Sequence, residues 1–408
     1  MADLEVADLK VPELPAPPEV LDVLIVGGGP VGLFLGCLLA RSGVSFAVLE
    51  KRAGTSVHSR AIGIHPPALK ALASVGVAGA MLEAGLRISS GIVRGESGAL
   101  GELDLRLASA EFPFVLSLPQ QKTEGLLEAR LHQLAPGTLR RESEVQDIRD
   151  HGTHLSVVTQ EGGQQKTLQA RFVVGADGCR SRVRELASIA YRGDTYADTY
   201  LMGDFPDTTA YGAVALIYLR RAGVVECFPL PGGLRRWVVR TGSLWQGASA
   251  ADLTGLVRER TGQYLPAAEC SMLSAFEVRH HQAGRMVSGR QVLIGDAAHE
   301  VSPIGGQGMN LGWLDAQALA PVLVRAMRQP ELDAAHQALS TQTRSALARF
   351  GRERQQSAWI AARQAELNMW AGRPIHARIQ PGRDWLVRRL LSRPVQPLLA
   401  GAFTMRWL

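Results

Sequence analysis

Residues 21–52 read LDVLIVGGGPVGLFLGCLLARSGVSFAVLEKR, and their pattern sets the fold. Asp22–Val26 is short, apolar and β-branched, as a buried strand should be. Gly27, Gly29 and Gly32 stand at G-x-G-x-x-G spacing, with Pro30 and Val31 between the last two. An apolar helical run follows to about Arg41, and Gly43 ends it. A second apolar strand, about Ser45–Leu49, ends at Glu50 and Lys51. The glycines let the turn tighten and let backbone approach a pyrophosphate. The helix start supplies free N–H groups and roughly half a positive charge. Glu50 falls 18 positions after Gly32, where an acid meets adenosine ribose hydroxyls. Strand, glycine turn, helix, strand and acid in register predict a dinucleotide site on an α/β unit.

Two later stretches end the same way. RFVVGADGCRSRVR (171–184) carries a strand, Phe172–Val174, running into Gly175 and then Asp177-Gly178. RQVLIGDAAHEVSPIGGQGMNLGWLDAQALA (290–320) carries Val292–Ile294, then Gly295 and Asp296. In it a glycine-rich loop, Gly305–Gly308, leads into a helix near Met309. Ligands of parallel sheets sit at the carboxyl ends of strands, so three such ends predict one elongated ligand. The first would hold a pyrophosphate and the third would set Asp296 on a hydroxyl chain. N–H groups around Gly308, Met309 and Asn310 would face a ring that becomes anionic. A flavin dinucleotide has those parts.

Together the three stretches resemble the group A FAD-dependent aromatic hydroxylases, which share the para-hydroxybenzoate hydroxylase-like fold. Gly27 to Gly32 match the family's first motif. Gly175-Ala176-Asp177-Gly178 with Ser181, Val183 and Arg184 match its Asp-Gly motif, and Gly295-Asp296-Ala297-Ala298-His299 with Pro303, Gly306, Gln307, Gly308, Asn310 and Gly312 its Gly-Asp motif. The resemblance covers about residues 20–325. It implies Arg60 on the FAD phosphates, Gln120 at the flavin or ribityl chain, and Val145 as a backbone contact to adenine. Lys122 stands where many relatives carry arginine. Each has a plain alternative: a surface charge for Arg60, a helix cap for Gln120, a loop brace for Asp177.

The fold class expected is α/β: a Rossmann-type FAD-binding domain, an inserted mostly antiparallel β-sheet substrate domain and a C-terminal helical segment. The divisions are 1–20 as a flexible lead-in, 21–82, 106–189 and 282–330 as the FAD domain, 83–105 and 190–281 as the substrate domain, and 331–408 as helices. The segments LMGDFP, VALIYL, VVECFPL and RRWVVR read as antiparallel strands. Met202, Tyr218, Phe228, Leu230, Trp237 and Val239 are pocket candidates, of which a period of two lets about half face inward. Arg220 and Arg221 are candidates for an acidic substrate, with strand-end surface charges as the alternative. His280 and His281 are read as surface or capping residues.

Length and composition exclude several classes. The 408 residues suggest about two or three domains. With 46% apolar and 20% charged residues the chain is neither collagen-like nor wholly disordered. No apolar run is long enough to span a membrane. The opening residues are acidic and proline-rich, unlike a secretory signal. Cys37, Cys179, Cys227 and Cys270 are widely spaced, which favours free thiols, no metal site and a cytoplasmic location. Net charge is +6 and only five basic residues are lysine, but the arginines are scattered, so no nucleic-acid partner is expected. The basic C-terminal stretch is expected to pack on the FAD domain, with peripheral membrane contact or a dimer surface as alternatives. A monomer or homodimer is expected.

The resemblance implies tightly but non-covalently bound FAD, NAD(P)H as a transient reductant, O2, and an aromatic or polyketide-like substrate hydroxylated through a flavin C4a-hydroperoxide. It names no side-chain acid or base; Tyr218 or a histidine is the guess. An FAD-dependent epoxidase or hydroxylase of a lipophilic quinone-type substrate would use the same motifs. A non-catalytic flavin-binding sensor is the reading from another class.

Overall fold

The computed structural model describes residues 20–54, 61–328 and 339–407. The lead-in up to residue 19 and Arg60 lie outside the described residues. The chain enters on β1 (Val20–Val26), turns into α1 (Pro30–Ala40) and returns on β2 (Phe46–Leu49). A hairpin follows, β3 (Ser90–Gly95) and β4 (Gly98–Asp104), then α2 (Gln120–Leu134) and the long β5 (Gln164–Gly175). After α3 (Arg182–Leu186) come β6 (Tyr191–Pro206), β7 (Ala215–Tyr218), β8 (Val225–Leu230) and β9 (Leu234–Thr241). Helix α4 (Ala250–Thr261) leads to β10 (Met272–Ala283) and β11 (Gln291–Leu293). Four helices close the described chain: α5 (Gln307–Arg328), α6 (Thr341–Gly372), α7 (Gln380–Leu390) and α8 (Gln396–Phe403).

Two sheets organise these elements. In the first, β11, β5, β1 and β2 lie side by side, all parallel. Parallel strands are covered on both faces, which is why Val23–Val26 and Phe46–Leu49 are apolar without alternation and buried throughout. Helix α1 is apolar nearly all round because it is sandwiched: it buries Leu33, Phe34, Leu35 and Leu39, each contributing roughly 1.5–3 kcal/mol. Helix α5 packs against it so closely that a Cβ on Gly312 would stand 2.4 Å from a Val31 methyl.

The second sheet runs β10–β6–β9–β8–β7–β3–β4. Its pairs are antiparallel except β7 with β3, which is parallel. The hairpin 90–104 therefore joins the later strands despite a gap of about a hundred residues. Here the side chains alternate. Leu201, Phe205, Leu216, Tyr218, Val225, Cys227, Trp237 and Val239 form one face, packed under Leu253 and Val257 of α4. The other face looks back toward the first sheet. The long strands β6 and β10, paired from Tyr191–Ala283 to Asp204–Met272, carry the chain between the two sheets.

Candidate active site

Val26, Leu49, Gly175 and Leu293 are neighbours in register across the first sheet. Four strands thus end on one line, and the loops that follow share one cavity of about 760 Å³. Its walls include Gly27, Gly29, Pro30, Val31, Glu50, Lys51, Gln120, Val145, Asp177, Gly295, Asp296, Pro303, Gly306, Gly308 and Met309. These are the sequence-predicted contacts, drawn together from positions up to 282 residues apart. Gly27 has φ +111°, and a Cβ there would lie 2.3 Å from the Ala176 carbonyl oxygen. Gly32 does not line the cavity; a Cβ on it would lie 1.9 Å from the Gly27 carbonyl oxygen, so it permits the tight turn itself.

Helix α1 starts at Gly29 and Pro30 with no side-chain cap, and Gly29 and Val31, whose N–H groups have no partner within the helix, line the cavity wall. That is a cradle for phosphate oxygens. Glu50, buried at the tip of β2, accepts from the Gly28 N–H (2.8 Å), the Arg52 N–H (2.9 Å) and Arg52 Nε (2.8 Å). Burial opposes its ionisation, but the Arg52 bonds and the Gly28 N–H hold the carboxyl below its ordinary range. Glu50 also lines the cavity. Arg180 and Arg182, which the sequence reading left aside, line the same end.

Asp177 braces its own loop. It accepts from Ser181 Oγ (2.6 Å) and from the N–H groups of Arg182 (2.7 Å) and Val183 (3.2 Å). Beside it Arg184 donates to the carbonyls of Ala297 (3.0 Å) and Cys179 (2.7 Å), tying the second loop to the third. Asp296 is different: no donor among the described residues bonds its carboxylate, and the side chain is exposed on the cavity wall. The surrounding protein partly desolvates the carboxyl and raises its pKa to about 6. An unpartnered carboxylate there suits a polyol hydroxyl chain.

Besides Gly32, two predicted contacts take other places. Asn310 is a staple: it accepts from the His65 N–H (2.8 Å) and donates to the carbonyls of Gly63 (2.9 Å) and Gly306 (2.7 Å). Gln307 is buried beneath the loop, its amide without a partner among the described residues, off the cavity wall. At the helix start, only Gly308 and Met309 reach the wall. His65 lines the cavity and meets the Gly305 carbonyl through Nε2 (3.0 Å); burial lowers its pKa to about 4, so it is neutral.

Behind the third loop lies a buried network. Asp315 Oδ2 meets His299 Nε2 (2.6 Å) and accepts from the Gly295 N–H (3.0 Å), while Oδ1 accepts from Arg354 Nε (2.7 Å). Burial opposes both charges, but Asp315 holds His299 above its ordinary pKa, and His299 with Arg354 holds Asp315 below its own. Helix α6 is thereby bonded to the loop that carries Asp296.

The far end of the cavity lies under the second sheet. Met202, Glu226, Phe228, Arg236, Val238 and Phe276 line it, and Phe403 of α8 closes it. Among the substrate candidates, Met202 and Phe228 are therefore on the wall. Tyr218, Trp237 and Val239 are on the opposite face of the sheet, sealed under α4. Burial also raises the Tyr218 hydroxyl to about 12, which removes it as a proton acceptor for the cavity. Leu230 is buried at the hairpin end of β8, away from the wall. The reason is phase: at β9 the wall residues are Arg236 and Val238, not their neighbours. Arg220 and Arg221 pair with Glu96, and His281 bonds Glu300; neither arginine nor His280 and His281 line the cavity. Among the described residues no group of His, Cys, Asp and Glu could hold a metal, and no helix is long and apolar enough to cross a membrane.

A family model described as "FAD binding domain" matches residues 20–352. The 6-methylpretetramide 4-monooxygenase of Streptomyces rimosus is 33% identical over 326 residues, which are 76% of this chain and 57% of that protein. The chain thus spans less than two thirds of this relative. Among solved structures, p-nitrophenol 4-monooxygenase PnpA from Pseudomonas putida DLL-E4 shares the fold, with a TM-score of 0.81 at 23% identity over 93% of this chain and 96% of that one. OxyS anhydrotetracycline hydroxylase from Streptomyces rimosus has a TM-score of 0.77 at 26% identity, over 96% and 77%.

Proposed function

The chain belongs to the FAD-binding-domain family that includes the flavoprotein aromatic hydroxylases, and from that membership we propose that it is an FAD-dependent monooxygenase using NAD(P)H and O2 to hydroxylate an aromatic or polyketide-like small molecule. The observation that carries this reading is the continuity of the cavity. It runs from the glycine turn of β1 past Asp296 to a chamber under the second sheet, where Glu226 and Arg236 stand among apolar side chains. A cofactor held at one end thus presents its ring to whatever fills the other.

In this reading the start of α1 holds the pyrophosphate, and Glu50 takes the adenosine ribose hydroxyls beside Val145. Asp296 takes the ribityl hydroxyls. FAD supplies the hydride acceptance and oxygen activation; the chain supplies position, charge and shelter from water. The N–H groups of Gly308 and Met309, at the start of the 22-residue helix α5, stabilise negative charge on the ring edge. FAD is held tightly without a covalent bond, and NAD(P)H visits. The four free cysteines are in keeping with a cytoplasmic site of action.

The test is NAD(P)H oxidation by the FAD-loaded protein across a panel of phenols and polycyclic aromatics. Oxidation stimulated by a substrate, with a hydroxylated product by mass spectrometry, is the expected result. A protein that binds FAD but stays silent with every reductant and aromatic would instead be a flavin-binding sensor.

One observation supports a second reading, a lipophilic quinone-type substrate. Trp385, Leu386 and Leu390 of α7, Leu398 of α8 and Trp407 are all exposed. Co-sedimentation with anionic vesicles, together with a lipophilic product, would favour it.

A further inference from the structure

We propose that Glu226 is the polar anchor of the substrate chamber, accepting a hydrogen bond from a hydroxyl group on an otherwise apolar, uncharged aromatic substrate. The proposal rests on the reading of this chamber as the substrate site. Glu226 is the second residue of β8, where Val225 and Cys227 point to the sealed face under α4 and Glu226 points the other way. Its cross-strand neighbours are Ile217 on β7 and Val238 on β9, both apolar. Met202, Phe228, Val238 and Phe276 share its wall. The residue is only 8% exposed, and no donor among the described residues bonds its carboxylate. Burial raises its pKa to about 7.

A buried carboxyl without a donor is unfavourable unless something completes it. The cation on the same wall does not: Arg236 is bound in a two-pronged pair by Asp204, through Nε to Oδ1 (2.7 Å) and Nη2 to Oδ2 (2.8 Å). The missing donor is therefore expected from the ligand. An aromatic carboxylate would bring a second negative charge to Glu226, whereas a phenol brings a proton donor. As the phenol donates, electron density at the ring rises. An electron-rich ring is what oxygen transfer from a flavin requires. Sites built around a substrate hydroxyl reject the analogue that lacks it, because the protein group is then left unpaired.

Calorimetric titration of the FAD-loaded protein tests this with three probes: 2-naphthol, 2-methoxynaphthalene and 2-naphthoic acid. The wild type should bind 2-naphthol at least tenfold more tightly than the ether and more tightly than the acid. Glu226→Leu should bring the naphthol-to-ether ratio near one, with flavin content and melting temperature showing that it folds. Glu226→Gln keeps an accepting oxygen and should retain part of the preference. Equal binding of naphthol and ether by the wild type, a preference that survives Glu226→Leu, tighter binding of the acid, or no binding of any probe would overturn the proposal. Titration needs neither NAD(P)H nor oxygen. If the preference behaves as expected while no reductant is oxidised, it is the monooxygenase reading that fails.

Discussion

Asp296 and Glu226 are two carboxyls on the wall of one cavity, neither bonded by a donor among the described residues, the first exposed to the cavity and the second buried. Each predicts a measurable effect. Replacing Asp296 by alanine removes a charged hydrogen-bond acceptor worth about 1.5–3 kcal/mol. FAD should then bind roughly ten- to a hundredfold more weakly, as fluorescence titration of the apoprotein would show; unchanged affinity would remove Asp296 from the ribityl chain. For Glu226 the effect is on stability. Its folded pKa, about 7, exceeds the ordinary 4.5, so the unfolded chain loses its proton first as pH rises. The carboxyl is harmless below pH 4.5 and increasingly destabilising up to pH 7, after which the cost levels off. Glu226→Gln is free of that cost. Its stability relative to wild type should therefore rise by about 3 kcal/mol between pH 4 and pH 8, read from denaturant curves; a constant difference would mean that Glu226 is not held neutral. Asp177 shows the opposite use of a carboxyl, spent on its own loop. A motif residue of that kind looks the same in sequence as a ligand contact.

At the level of elements, the third loop is held from behind. Helices α5 and α6 contribute Asp315 and Arg354, which with His299 bind the loop's backbone at Gly295. Removing one partner of a buried charged network typically costs about 3–5 kcal/mol. Asp315→Ala should lose that much in urea unfolding at neutral pH and should also release FAD more readily. Loss of stability with unchanged FAD retention would show that the network does not brace the loop. The long β6 and β10 have a second use of the same logic. They continue from beside the first sheet into the second, so the chamber wall at Met202 and Phe276 is fixed relative to the loops at Gly295 and Asp296. This is also where the pocket candidates divide: alternation was evident in the strands, but its phase was not.

On the scale of the whole molecule, one cavity is bounded by residues from Val26 to Phe403. A ligand that fills it clamps segments that are distant in sequence, and it binds the folded form alone. FAD at a hundred times its dissociation constant should stabilise the protein by about 2.7 kcal/mol, seen as a rise in melting temperature that grows with FAD concentration. No rise would mean that FAD does not occupy the site. The C-terminal helices matter here because α8 supplies Phe403, whose ring meets that of His65 edge to face at 6.1 Å. Large apolar side chains of α7 and α8 remain exposed nearby.

The amino-acid order alone determined the first sheet and its loops. Glycines at special spacing, runs of β-branched residues and acids at strand ends act locally, and a turn that only glycine can make is visible wherever it occurs. Tertiary structure decided the rest. Whether Asn310 meets a ligand or holds a loop depends on Gly63 and His65, far away in sequence. Which face of β8 and β9 is the chamber depends on where α4 packs. A strand's alternating pattern is the same whichever side is covered, so Glu226 reads as an ordinary charged strand residue until the fold seals its neighbours.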